Sequence, residues 1–297
     1  MYERDEGTPA QAIIQRFLRD KNIFMIELFE PLYAPLPDSG RYLERIGVSA
    51  TDKADGKTLN KLVLCHLRTV PFENLDIYDA QADVSLNIPA LYDKIVTRRR
   101  GGYCFELNAA FMSLLASLGY DCYAIAVRVV WNFPDVMPIS HRAAIVTIGG
   151  ARYFCDVGFG GPSPQNALNL DDAGLQESGT NVFQVEKGKS GTVIHRIVNG
   201  EKERLLLFRE EPCDPVDFLA FNEYQSKSRD SMFRKVRLLN LVTETGSVTL
   251  TGNVLKIHDG GNMSEKTLSG EQELKDAMKK HFGLSVDFPL KTDVPCL

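Results

Sequence analysis

Apolar residues recur at helical spacing through the first 120 or so positions. Leu43 and Ile46 mark one helical piece and Leu59, Leu62, Val63 and Leu67 the next, within a span from Tyr42 to about Leu67. Pro71-Phe72-Glu73-Asn74-Leu75 breaks the run, since proline lacks the N–H that a helix needs. A further helix is predicted over Ile88–Val96 and another over residues 105–118. In the latter, Phe105, Ala109, Phe111, Leu114, Leu115 and Leu118 share the helical period and Gly119 stands at the C-cap.

Beyond residue 120 the pattern changes to β-branched and aromatic runs. Cys122–Trp131, with Ile125, Val127, Val129 and Val130, reads as a strand. Ala143–Ile148 and Tyr153–Val157 read as two more strands around Gly149-Gly150, with others at 181–187, 192–198 and 204–209. After Pro212 a helical piece, strands near 235–242 and 247–257 and an amphipathic helix at 271–282 suggest a smaller α/β unit. Residues 1–40 are charged and end in the proline-punctuated Glu30–Gly40 segment, which predicts a helix followed by a linker. Helices first and strands later make the chain α+β.

Composition narrows the function. The chain has 297 residues, 44% hydrophobic and 25% charged, enough for two or three packed units. Its 34 basic and 39 acidic residues give a net charge of −5, and no basic block exceeds Arg98-Arg99-Arg100, so no nucleic-acid partner is expected. The greasy stretch at residues 23–30 is interrupted by charge well short of a membrane span, and no cleavable signal precedes it. A cytoplasmic protein without a membrane partner is expected.

The six cysteines, Cys65, Cys104, Cys122, Cys155, Cys213 and Cys296, lack paired C-x-x-C spacing, so neither a disulfide scaffold nor a structural zinc site is expected. Cys296 is too close to the end for a prenylation box. Cys104 differs from the rest because it opens the helix at 105–118. In a first turn, free N–H groups and the helix dipole favour thiolate over thiol, and Gly101-Gly102 would let a substrate approach the sulfur. The alternative is a buried structural cysteine.

Two partners for that thiol follow from turn geometry. If Gly149-Gly150 is a two-residue hairpin turn, Ile148 pairs with Ala151 and Asp156 faces Ala143. His141 then lies two residues from Ala143 on the same strand face, a diagonal neighbour of Asp156 at a Cβ separation of ~7–8 Å. A carboxylate there can hold the imidazole, and a Cys104-His141-Asp156 set can do nucleophilic catalysis on an acyl carbon; the alternatives are a surface or core histidine and an aspartate that forms a turn. His66, His195, His258 and His281 sit in helical or polar strand positions and compete weakly as the base.

The segment Arg100-Gly101-Gly102-Tyr103-Cys104-Phe105-Glu106-Leu107-Asn108 resembles the active-cysteine segment of the arylamine N-acetyltransferases. Tyr42–Gly47, Pro71–Asp76, His141-Arg142 and Asp156-Val157-Gly158-Phe159-Gly160 are similar to other blocks of that family, and Phe221–Phe233 is a weaker echo. The resemblance implies a thiol-protease-like (transglutaminase/papain-like) core. On that reading residues 1–40 are an N-terminal extension, 41–121 a helical domain with the nucleophile, 122–210 a β-barrel domain with His and Asp, and 211–297 an α/β lid. It implies a ping-pong reaction in which acetyl-CoA, or another short acyl-CoA, acylates Cys104 and an arylamine, arylhydrazine or hydroxyarylamine takes the acyl group.

It further implies that Phe72 and Phe159 line the acceptor pocket and that Glu73 and Arg100 form a structural ion pair. Tyr224, Gly158 and Gly160 would contact the cofactor, the Cys104 N–H would be an oxyanion donor, and no metal is needed. The chain departs from the family in its longer N-terminal segment and in Asp230, where a small hydroxyl residue is common. The rivals are a transglutaminase-like or papain-like thiol hydrolase, which shares the Cys-His-Asp order, and a non-catalytic acyl-CoA-binding protein of the same fold.

Overall fold

The structure is a computed structural model that describes residues 28–49, 53–133 and 137–292. The helix expected in the first 27 residues and the penultimate Cys296 lie outside the described residues. Local signals account for the early helices. In α1 (Ser39–Arg45) the Asp38 carboxylate accepts from the Arg41 N–H at 3.0 Å, and in α2 (Gly56–Thr69) Asp55 accepts from Thr58 at 2.8 Å. The buried stripe of α2 is Leu59, Leu62, Val63, His66 and Leu67, the predicted apolar positions with one histidine added. His66 is accommodated neutral, with Nε2 3.0 Å from the Tyr42 hydroxyl, and burial pulls its pKa down to about 3.

After Thr69 the chain extends into the short strand β1 (Phe72–Glu73), then forms α3 (Leu75–Tyr78) and α4 (Ile88–Tyr92). The continuous helix expected over Ile88–Val96 is instead α4 followed by a π turn at Asp93–Thr97. Helix α5 (Cys104–Ser117) begins at the cysteine itself and is buried on every side from Cys104 to Phe111. A helix buried all round belongs at the centre of a fold. It packs against β2 (Asp121–Val129) and β3 (His141–Ile148).

These strands belong to an antiparallel sheet that also contains β4 (Ala151–Cys155), β5 (Leu168–Asn169), β6 (Leu175–Ser178), β7 (Asn181–Gly188), β8 (Gly191–Val198) and β9 (Glu201–Phe208). The order is β5-β4-β3-β2-β9-β8-β7-β6. Its edges are bridged by Gln176 on β6, whose Oε1 accepts from the Asn169 N–H at 2.8 Å and whose Nε2 donates to the Asn169 carbonyl at 2.9 Å. One side-chain amide therefore does the work of a backbone rung, and the sheet is a nearly closed barrel around Ile125, Val127, Ile145, Phe154, Phe183 and Leu206. The α+β class read from the sequence is the class observed.

The last third holds α6 (Phe218–Lys227), α7 (Met232–Lys235), β10 (Leu238–Val242), β11 (Gly246–Thr251), β12 (Val254–Asp259), β13 (Asn262–Thr267) and α8 (Gly270–Phe282). The strand expected at 247–257 is two strands around Gly252, and β13 went unread because every residue in it is exposed and no alternation marks it. Strand β1 completes this sheet from far away in sequence, pairing Phe72 with Asn240. No helix among the described residues is long and apolar enough to cross a membrane.

A buried ion pair locks that junction. Arg237, at the head of β10, donates from Nε to Asp79 Oδ2 at 2.9 Å and from Nη2 to the Lys291 carbonyl at 2.7 Å. The Lys291 N–H in turn donates to Asp79 Oδ1 at 2.8 Å. Breaking a buried pair strands the partner charge, so Arg237→Met should lower stability by about 3–5 kcal/mol in urea denaturation.

Candidate active site

The hairpin forms as the two glycines require. Gly149 and Gly150 have φ of +60° and +84°, the left-handed pair of a tight two-residue turn, and the ladder runs from Ile148↔Ala151 to Ala144↔Cys155. This is the register assumed for the diagonal placement of His141 and Asp156. The strand stops one residue short of Asp156, whose carboxylate turns back to His141 with Oδ2 2.7 Å from Nε2.

Helix α5 brings the sulfur to the same point. Cys104 is its first residue, 2% exposed, with Sγ 3.6 Å from the Ser140 carbonyl. Asp156 occupies Nε2, which leaves Nδ1 as the ring nitrogen open to the thiol, and the Cys104 sulfur is one of the groups acting on the ring. Burial alone would pull the imidazolium down, but the Asp156 carboxylate and the Cys104 sulfur outweigh it and push His141 up to about 10. Such a ring is protonated at neutral pH.

One residue in this cluster carried no role in the sequence reading. Asn108, one turn beyond Cys104, donates from Nδ2 to Asp156 Oδ1 at 2.9 Å and to the Arg142 carbonyl at 2.6 Å, while its Oδ1 accepts from the Val157 N–H at 3.0 Å. The available signal was its spacing: four residues after the cysteine, on the same helix face. Asp156 Oδ1 also accepts from the Gly158 N–H at 2.8 Å.

Gly158 thus serves the aspartate, its N–H already committed, and a Cβ there would lie 2.9 Å from the Cys104 Cα. A Cβ on Gly160, which has φ of +69°, would meet the Phe72 ring at 2.9 Å. Phe72 and Phe159 both lie beside the cluster: the Phe159 ring stands edge-on to His141 with centroids 5.9 Å apart and touches Trp131 at 6.2 Å. Tyr224 is elsewhere, half exposed on α6, where Asn222 accepts from the Tyr103 hydroxyl.

Packing alone demands glycine at positions 101 and 102. A Cβ on Gly101 would sit 2.0 Å from the Pro71 carbonyl oxygen, and one on Gly102 would sit 2.8 Å from the Glu106 carboxylate. Around them lies a buried charge network. Arg100 reaches Glu73 at 2.7 Å and Asp76 at 2.8 Å, and Lys94 reaches Asp76 and Glu106 at 2.7 Å each. Glu106 also accepts from the Tyr103 N–H at 3.1 Å and so caps α5 immediately before the cysteine. The Glu73–Arg100 pair was legible in sequence, whereas Asp76, Lys94 and Glu106 were not.

Cys65, Cys104, Cys122, Cys155 and Cys213 are free thiols, and among the described residues no cluster could hold a metal ion.

The N-acetyltransferase family model matches residues 55–291. An arylamine N-acetyltransferase of Mycolicibacterium smegmatis is 31% identical over 254 residues, spanning 84% of this chain and 92% of its own. One from Escherichia coli K12 is 28% identical over 256 residues, spanning 84% and 90%. The solved arylamine N-acetyltransferase of Mycobacterium tuberculosis superposes with a TM-score of 0.79 at 32% identity, covering 84% of this chain and 93% of that one. The Mycobacterium marinum enzyme in complex with CoA superposes at 0.78 with 31% identity, covering 83% and 92%.

Two outcomes follow from this geometry. Asn108→Ala leaves the Arg142 carbonyl and one Asp156 lone pair without their donor, so it should cost about 1–3 kcal/mol in chemical denaturation. His141 is raised from 6.5 to about 10 in the folded chain. The stability it adds is therefore complete below pH 6.5 and is lost as pH rises through about 10. The excess stability of wild type over Asp156→Asn should shrink by about a few kcal/mol between pH 6 and pH 10.

Proposed function

The chain belongs to the arylamine N-acetyltransferase family, and on that premise we propose that it carries the acetyl group of acetyl-CoA to an arylamine, arylhydrazine or hydroxyarylamine through a thioester on Cys104. The observation that carries this reading is His141, hydrogen-bonded to Asp156 at 2.7 Å, acted on by the Cys104 sulfur and edge-on to the Phe159 ring.

In the first half-reaction His141 holds the thiol proton and Sγ attacks the acetyl carbonyl. The CoA–carbonyl bond breaks, and the leaving CoA sulfur takes the proton from His141. The Cys104 N–H, at the free end of α5, is the nearest oxyanion donor. In the second half-reaction the amine nitrogen attacks the thioester, the C–S bond returns its electron pair to Sγ, and His141 receives the amine proton. Asp156 holds the ring and stays ionised throughout.

An aromatic amine suits the surroundings better than water does. Cys104 is 2% exposed, the Phe159 ring stands next to the base with Trp131 against it, and the Phe72 ring lies over Gly160 in the adjoining loop. CoA is assigned to the loop at Gly160 and to the exposed surface at Tyr224, since the Gly158 N–H is already committed. In this reading the core is of the thiol-protease type and the C-terminal α/β unit is a lid over the donor.

Acetyl-CoA alone should add one acetyl mass, mapped to Cys104 and absent from Cys104→Ser. An arylamine should then discharge it. An adduct that persists on Cys104→Ser, or one that decays equally with and without amine, excludes the transferase mechanism.

A further inference from the structure

Arg142 follows His141 on β3, so strand alternation sends their side chains to opposite faces. In the ladder with β2, His141 faces Val127 and Arg142 faces Ala126. Val127 belongs to the barrel core, whereas Ala126 packs on the helical core that contains Cys104. The Arg142 guanidinium is thereby carried into an apolar region. The residue is 2% exposed, and its Cζ sits 4.4 Å from the centroid of the Phe218 ring.

Among the described residues nothing accepts a hydrogen bond from its Nε. Buried cations are ordinarily paired with an anion, because an isolated charge in a dry interior is costly. Burial draws this guanidinium down to about 10, which still leaves it charged at neutral pH. The Phe218 ring beneath it packs in turn on Phe105, the residue after Cys104, with centroids 5.9 Å apart, and the acidic groups that act on the guanidinium are two thiols, Cys213 and Cys104. Asn108 fixes its backbone relative to the sulfur by donating to the Arg142 carbonyl at 2.6 Å from one turn along α5.

We propose that Arg142 is a positioning residue whose charge stabilises the Cys104 thiolate through space, from the strand face opposite His141. The proposal rests on Cys104 being the nucleophile. Its benefit falls on both half-reactions: more sulfur is ionised before acylation, and a sulfur with a more acidic conjugate thiol departs faster when the amine displaces it.

The other groups around Cys104 are His141, with Asp156 behind it, and the Tyr103 hydroxyl, which is spent on Asn222. Glu106 is committed to Lys94. Arg142 itself is faced by the Phe218 ring and by Cys213, whose Sγ lies 3.8 Å from the exposed Asp217 carboxylate.

The test is the pH profile of Cys104 alkylation by iodoacetamide, followed by peptide mass mapping. Arg142→Met keeps an apolar chain against Phe218, and its midpoint should rise by about one pH unit, a tenfold loss of thiolate at any pH below the midpoint, with an unchanged plateau at high pH. Arg142→Lys should restore most of the midpoint. A folded Arg142→Met with the wild-type midpoint overturns the proposal. Cys213→Asp probes the same charge with the arginine in place: a carboxylate beside the guanidinium should raise the Cys104 midpoint, and Cys213→Asn should not. Should Arg142→Met not fold, an unchanged midpoint in Cys213→Asp overturns the proposal instead. Failure of acetyl-CoA to label wild-type Cys104 would sink the nucleophile assignment separately, because alkylation reads the sulfur's ionisation without acetyl transfer.

Discussion

A carboxylate almost wholly removed from water must be solvated by the protein, and Asp156 meets that demand with donors from three separate places. His141 comes from the start of β3, Asn108 from α5 and the Gly158 N–H from the loop beyond β4. Each donor lost would cost part of the desolvation penalty of a buried charge. The aspartate therefore dictates how closely the cysteine helix docks on the barrel. That distance in turn decides whether the thiol meets the imidazole.

The same logic recurs at increasing range. Lys94, Arg100, Glu73, Asp76 and Glu106 form a buried network around the segment that leads into α5, and Glu106 uses its second oxygen to cap the helix. Farther out, Asp79, Arg237 and Lys291 join the early helices to the C-terminal sheet. Buried ion pairs are weak evidence for stability but costly to break, so their effect is to make one docking arrangement much better than its neighbours. The spacing of the Cys104, His141 and Asp156 side chains depends on such positional tolerance.

Legibility in the sequence tracked the range of the interactions. The cysteine helix, the β3–β4 hairpin and the His141–Asp156 diagonal were readable because a helical period, a Gly-Gly turn and strand parity are local rules. Strand β13 was silent, since its six residues are all exposed and its pairing comes only from β12. Strands β1, β5 and β6 are too short to show a period and exist through partners distant in the chain or through a side chain such as Gln176. The packing role of Gly101 and Gly102 was silent for a related reason, because what excludes a Cβ is the Pro71 carbonyl and the Glu106 carboxylate brought there by folding.

By itself the sequence determined the class of the fold, the helix start that frees the Cys104 N–H, and the register that aligns His141 with Asp156. Each rests on spacing within a few tens of residues at most. Only the tertiary structure decided that the strand bearing His141 meets the N-terminus of α5, that Asn108 completes the aspartate's shell, and that Arg142 is buried against the Phe218 ring. Those are contacts between a helix and a sheet. Their geometry follows from which surfaces pack and which charges are left without water, and no local period encodes that.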